Sequence, residues 1–227
     1  MSQRDRAYEK NMENIVNLLE VDKTAKLLDL GCDDGVITKK FAEKIETQSV
    51  FGYEIIPEAA KKAEKKGVKV TLGDLNGNLK YQDNFFDVIV SNQVIEHLNN
   101  TDQYLCEVYR ILKPGGYAVI STENLASWHN IFALLLGYMP FSLTNVSVKT
   151  GAVGNKLAPH SGEDFWSESS WQHQRVFTTK GLIHLFELFD FQVEKVLGAG
   201  YYPFGNIFSS VDPYHSAFIT FKLRKIK

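Results

Sequence analysis

The stretch Lys26-Leu27-Leu28-Asp29-Leu30-Gly31-Cys32-Asp33-Asp34-Gly35 decides the fold. Lys26 to Leu30 is a short apolar run closed by Gly31, the pattern of a buried strand that stops at a tight turn. Directly beyond the turn, Val36 to Ile45 alternates apolar and charged positions at helical period. A strand running through a glycine-bearing turn into a helix is the first half of a βαβ unit. The two glycines carry no Cβ, so a ligand can approach the backbone closely. Such a pair alone occurs in many loops.

Working outward, Tyr8, Met12, Ile15, Leu18 and Leu19 recur at helical spacing and predict an amphipathic helix over residues 6–20. Ser49 to Tyr53 reads as the second strand, and Pro57 sits where a first helical turn favours proline. The helix over 58–66 ends at Gly67, a left-handed cap. Strands follow at 68–72 and 86–90. Thr101 is the expected cap of a helix through Leu112, which Pro114-Gly115-Gly116 ends before a strand over 117–122. Strict alternation of strand and helix predicts a mostly parallel sheet covered on both faces, with right-handed crossovers.

After Thr122 the rhythm breaks. A helix over 127–136 leads into about 35 residues rich in Gly, Ser, Asn, His and aromatics, and connections of that length are often functional. Thr178 or Thr179 caps a last amphipathic helix carrying Leu182, Leu185, Phe186 and Phe189, and strands close the chain at 191–196 and 217–223. The expected organisation is one domain over 1–227, with a core at 24–123, an acceptor-side cap at 127–177 and closing elements at 178–224.

With 227 residues, 44% of them apolar, the chain can bury a substantial core, which excludes a wholly disordered protein. Twenty-five Lys and Arg against 27 Asp and Glu leave a net charge of −2. Proteins that neutralise many phosphates are basic, so nucleic acid is not an expected partner. Cys32 and Cys106 are far apart and build neither a disulfide framework nor a zinc cluster, which suits a reducing compartment. The polar start Met1 to Arg6 is unlike a secretory signal, and the longest apolar run, Ile131 to Phe141, has 11 residues, short of the ~20 a spanning helix needs. A cytoplasmic protein without a membrane span is expected.

The chemistry gathers at strand ends, where open α/β sheets bind ligands. Glu54 ends the second strand 19 residues after Gly35, and a carboxylate there can accept from both hydroxyls of a ribose. The alternative is a solvated strand end. Asp74, in Gly73-Asp74-Leu75 after the third strand, can accept from an adenine amine or form an Asx turn. Charge separates the candidate cofactors. A pyrophosphate wants bare amides at the first turn, but Asp29, Asp33, Asp34 and Glu54 bring four carboxylates there. Like charges ~6 Å apart at an effective dielectric of ~20 repel by a few kcal/mol. S-adenosylmethionine carries an ammonium and a sulfonium and no phosphate, so the acidic turn suits it. Asp33 and Asp34 also have a plain structural reading, since acidic residues stabilise the first turn of any helix.

The stretch Lys26 to Thr122 resembles the core of class I S-adenosylmethionine-dependent methyltransferases, in particular the small-molecule group called methyltransferase type 11. The resemblance is carried by Asp29-Leu-Gly31-Cys32-x-x-Gly35, Glu54, Gly73-Asp74-Leu75, Phe86-Asp87-Val-Ile-Val-Ser91, Val94-Ile-Glu96-His97-Leu98 and Leu112-Lys-Pro114-Gly115-Gly116. It implies a Rossmann-like three-layer α/β sandwich with a seven-stranded, mostly parallel sheet whose last strand is antiparallel. It also implies S-adenosylmethionine as cofactor, with Asp29 and Gly31 by the methionine moiety, Glu54 on the ribose, Asp74 and Leu75 framing the adenine, and Asn92 and Gln93 near the reacting methyl. Cys32, Asp33, Gly35 and Ile55 complete the implied cofactor set. Asp33 departs from the family, which usually has glycine there; aspartate tolerates the left-handed region better than most residues.

The acceptor is expected to be a small molecule of unstated identity. His129, His97 and His173 are the candidates for a base, with His97 read first as structural or as part of the cofactor shell. His160 also falls in the irregular segment. Tyr138, Phe141, Phe165, Trp166, Trp171 and Phe177 are candidates for a pocket wall, or simply pack the segment onto the sheet. Methyl transfer is an in-line displacement with a good leaving group, so alignment carries most of the work; no metal ligand set is read. Two alternatives stay open, a protein that binds S-adenosylmethionine without catalysis and a nicotinamide-dependent oxidoreductase. The missing third glycine of G-x-G-x-x-G argues against the second.

Overall fold

The computed structural model describes residues 3–158 and 171–227. His160, Phe165 and Trp166 lie outside the described residues. Helix α1 (Gln3–Leu18) precedes an alternation of β1 (Lys26–Leu30), α2 (Val36–Ile45), β2 (Ser49–Glu54), α3 (Pro57–Lys65), β3 (Lys69–Leu72), β4 (Phe86–Asn92), α4 (Thr101–Ile111) and β5 (Leu112–Glu123). Beyond β5 come α5 (Trp128–Leu135), α6 (Thr179–Leu188), β6 (Phe191–Ala199), the short α7 (Asn206–Ser209) and β7 (Phe218–Lys225).

The strands form one seven-stranded sheet in the order β3-β2-β1-β4-β5-β7-β6. Strands β1 to β5 pair in parallel, and β7 runs antiparallel to both of its neighbours, β5 and β6. This is the Rossmann-like sheet with a reversed last strand that the sequence implied. Side chains alternate across it with the period of a strand. Leu28, Leu30, Ile89, Ala118 and Ile120 face Tyr104, Leu105 and Val108 of α4 and Leu182 and Phe186 of α6. Leu27, Val88, Val90, Tyr117 and Val119 face the opposite layer, made by Ile15 and Leu18 of α1, Phe41 and Ile45 of α2 and Ala63 of α3. Burial on both faces explains why β1 and β4 read as continuous apolar runs.

Two local expectations need correcting. The side chain of Asn100, not Thr101, caps α4, accepting from the Gln103 amide at 3.2 Å. Asparagine is at least as good a cap as threonine, so adjacent candidates could not be separated by residue type. The Pro114-Gly115-Gly116 segment does not lie between helix and strand but inside β5. Leu112 is already extended and pairs with Phe86, whereas Val88 pairs with Tyr117, so the segment bulges out of the β4–β5 ladder. Thr178 does cap α6, accepting from the Gly181 amide at 3.1 Å.

Candidate functional site

The strand order turns back between β1 and β4, and the crevice beyond the carboxyl ends of these strands is where a doubly wound sheet takes a ligand. Several of the predicted residues gather at these strand ends. Gly31 has φ +79°, and a Cβ there would lie 2.6 Å from Val94 Cγ2; only glycine fits the turn. The amides of Gly31 and Cys32 both donate to the Tyr53 carbonyl, at 2.8 and 3.3 Å, tying the turn to the end of β2. Glu54 is buried and braced on three sides. Its Oε2 accepts from the Asp33 amide, and its Oε1 accepts from the Ile55 and Ile56 amides, each at 2.9 Å. Asp29 is buried, and its Oδ2 accepts from the Thr38 hydroxyl at 2.6 Å. Burial pushes its carboxyl up to about 7, with Thr38 opposing the rise and Glu54 adding to it.

Other predicted residues have a packing explanation. A Cβ on Gly35 would lie 2.9 Å from Ala63 Cα, so its left-handed φ of +78° serves the approach of α2 to α3. The buried Cys32 thiol packs over Gly52 in the core beside α3, and burial pushes its pKa up. The Leu75 side chain belongs to the core cluster of the opposite face. Asp34 accepts from the Val36 amide and pairs with Lys66 at 3.0 Å, and both hold its carboxyl below the usual range. Asp74 Oδ1 accepts from the amide and the side chain of Asn76, both at 2.8 Å. This Asx turn aims the strand end without consuming Oδ2.

Asn92 ends β4 and Gln93 follows it. Gln93 is left-handed, with φ 55°, and its side-chain Nε2 is buried without a hydrogen-bond partner among the described residues. A left-handed residue with an unpaired buried amide calls for an explanation that packing does not supply. Asn92 meets α1, which sequence reasoning did not place at the site. Asn11 donates to Asn92 Oδ1 at 3.1 Å, and Asn11 Oδ1 accepts from the Ser121 and Thr220 hydroxyls at 2.7 and 2.9 Å. Burial raises the Tyr8 pKa, a hydrogen bond with Asn92 opposes that, and the charges of Asp33 and Asp29 raise it further. Asparagines at positions 11 and 14, within reach of an otherwise apolar helix face, were the available signal.

The histidines fall into two groups. His129, at the start of α5, packs edge-on against Phe141 and Tyr202, and burial pushes it down to about 4. His97 and His173 meet edge-to-face at 4.7 Å beside the buried Glu96. Burial, then the neighbouring His173, holds His97 down at about 4. Burial raises Glu96 to about 7, against the opposing influence of His173. Of the predicted wall aromatics, Phe177 packs into the core and Phe141 onto His129, whereas Tyr138 and Trp171 are exposed.

The sheet order, the reversed β7 and the buried acids at the ends of β1 and β2 are those of a protein whose cosubstrate is S-adenosylmethionine. The chain belongs to the methyltransferase-domain family, whose profile matches residues 2–196. That assignment removes the nicotinamide alternative. Among curated relatives, an uncharacterized methyltransferase of Schizosaccharomyces pombe is 34% identical over 120 residues, covering 47% of this chain and 43% of that protein. The mitochondrial ubiquinone biosynthesis O-methyltransferase of Rattus norvegicus is 31% identical over 108 residues, 44% of this chain and 31% of the relative. The chain thus spans less than half the length of these relatives. A solved S-adenosylmethionine-dependent methyltransferase of Thermotoga maritima, described as a possible histamine N-methyltransferase, has the same fold. It superposes with a TM-score of 0.66 at 20% identity, over 98% of this chain and 91% of that one. No helix among the described residues is long and apolar enough to cross a membrane.

Proposed function

We propose that the protein transfers the methyl group of S-adenosylmethionine to a small-molecule acceptor seated between the carboxyl ends of β4 and β5 and the segment after β5. The observation that carries this reading is Gln93 Nε2, buried without a hydrogen-bond partner among the described residues, on a left-handed backbone directly after β4. Asp29 and Gly31 hold the methionine end, Glu54 takes the ribose hydroxyls, Asp74 with the Leu75 backbone takes the adenine, and Asn92 and Gln93 border the methyl. Tyr8 and Asn11 close the crevice from above. Residues 127–177 serve as the acceptor-side cap of a single domain. Ubiquinone biosynthesis O-methyltransferases among the relatives support a small acceptor. The two unpaired cysteines support a cytoplasmic setting.

The reaction asks the protein for alignment. The S–CH3 bond breaks as the bond from acceptor to CH3 forms, S-adenosylhomocysteine leaves, and the acceptor loses a proton. Positioning the three atoms in line is worth about 7–11 kcal/mol of barrier. Asp29, when ionised, would face the cofactor ammonium and supply the charge that orients the methionine end. Single-turnover incubation with methyl-labelled S-adenosylmethionine and a small-molecule extract tests the reading. Label in a new small product supports it, and tight cofactor binding with no transfer favours a non-catalytic binder.

A further inference from the structure

Glu96, His97 and His173 come together although 76 residues separate the two histidines. One donor atom from each lies within 4.8 Å of the others. The arrangement is held from both sides. The Glu96 carbonyl accepts from the Gln174 and Arg175 amides at 2.8 and 3.2 Å, which clamps the histidine-bearing segment to the turn after β4. Each imidazole is oriented by a backbone carbonyl on Nδ1, Gln172 for His97 at 3.1 Å and Ser142 for His173 at 2.7 Å. With Nδ1–H donating there, the lone pair of each ring sits on Nε2, as second-shell carbonyls arrange it for metal ligands.

Glu96 supplies the second, independent observation. It is 1% exposed; its Oε2 accepts from the Thr122 hydroxyl at 2.8 Å, while its Oε1 has no partner among the described residues. Glu123 Oε2, also buried and without a hydrogen-bond partner among the described residues, stands 3.8 Å from His173 Nδ1 and adds a second acidic group to the same wall. A general base would need one carboxylate or one imidazole. Two imidazoles whose Nδ1 atoms are each engaged by a backbone carbonyl, and a buried carboxylate oxygen without a partner among the described residues, bring their remaining donor atoms to one point and match a cation instead.

We propose that Glu96, His97 and His173 form a site for a divalent transition-metal ion of the zinc, iron(II) or cobalt(II) class at the acceptor side of the cleft. Two nitrogens and one carboxylate oxygen leave coordination positions open, as in catalytic rather than structural sites. Bonds of about 2.1 Å put tetrahedral donors about 3.4 Å apart, so side-chain rotation of about an ångström closes the set. Magnesium, which prefers oxygen ligands, is not expected to bind well. If the methyl-transfer reading also holds, the open positions face the acceptor, and an acceptor hydroxyl bound there loses its proton more easily. Binding of the ion does not depend on that reading and can be followed without a methyl donor.

The test is titration of chelator-treated full-length protein with cobalt(II), read by its visible d–d absorption, and with zinc(II) by competition calorimetry. One ion per chain is expected. His173→Ala and Glu96→Gln should each weaken binding by more than about 100-fold, beyond the 10- to 100-fold cost of losing a supporting partner. S-adenosylmethionine affinity, measured on the same samples, should stay within a few-fold. Glu96→Gln is nearly isosteric and decides the matter should His173→Ala fail to fold. No saturable binding in the parent, or parental affinity in Glu96→Gln, overturns the site.

Discussion

Glu54 Oε2 accepts the Asp33 amide at 2.9 Å, so the carboxylate at the end of β2 fixes the left-handed residue of the turn after β1. The bond couples the ribose acceptor proposed for Glu54 to the shape of the glycine turn. Glu54→Ala then removes a ligand acceptor and frees three backbone amides together. S-adenosylmethionine binding should weaken by roughly 10- to 150-fold, from the ~1.5–3 kcal/mol of a charge-assisted bond. The thermal midpoint should drop as well. Asp74→Ala loses one acceptor and an Asx turn, and calorimetry should find the smaller effect there. Equal affinities for parent and Glu54→Ala would remove the ribose assignment.

Asp33 has φ 45°, a conformation that costs an L-residue about 1–2 kcal/mol and glycine nothing. Asp33→Gly should keep cofactor affinity within a few-fold, and its folded stability should equal or exceed the parent's after the entropy cost of the added glycine. Asp33→Val should be clearly less stable. A collapse of binding in Asp33→Gly, seen by calorimetric titration, would make the carboxylate a direct contact.

Asn11 joins α1 to β4, β5 and β7 through Asn92, Ser121 and Thr220. Asn11→Ala leaves buried hydroxyls short of an acceptor, at about 1–3 kcal/mol each. Urea unfolding should register that loss, and cofactor affinity should fall with it because Asn11 also holds Asn92 at the end of β4. Unchanged affinity would mean that α1 packs on the sheet without closing the site.

The core elements were legible where a strand stops at a turn residue, as the buried β1 does at Gly31 and the more exposed β3 at Gly73. Packing against two layers then left little freedom in how the helices cover the sheet. The features that stayed hidden depend on distant contacts. Gly35 looks like a ligand-approach glycine, yet it meets Ala63. Nothing local distinguishes a helix-terminating Pro-Gly-Gly from one bulged within β5. The role of α1 rests on Asn11 reaching Asn92, 81 positions away, and His173 joins Glu96 through a segment with no regular period.

Asp29 also predicts a pH dependence. Burial lifts its carboxyl to about 7, against ~3.9 in an unfolded chain. The folded state therefore binds more protons than the unfolded one between these values, and this residue's contribution to stability falls as pH rises from about 4 to about 7. Relative to Asp29→Asn, the cofactor-free parent should lose up to about 1.4 kcal/mol per pH unit in that window. Denaturant unfolding of both proteins at pH 5 and 7.5 measures this. Since a cationic ligand needs the ionised carboxylate, S-adenosylmethionine should bind more tightly over the same rise. A parent-to-variant difference that stays flat would contradict the assignment.

The most direct measurement of the central claim tracks the methyl group itself. Full-length protein is incubated with methyl-labelled S-adenosylmethionine and a small-molecule extract, and the products are separated by mass. The account predicts S-adenosylhomocysteine and a labelled small product in equal amounts, both suppressed in Glu54→Ala at subsaturating cofactor. Saturated, stable S-adenosylmethionine on a folded protein, with no label leaving it across extracts of differing chemistry, would contradict a methyltransferase and leave a binding protein in its place.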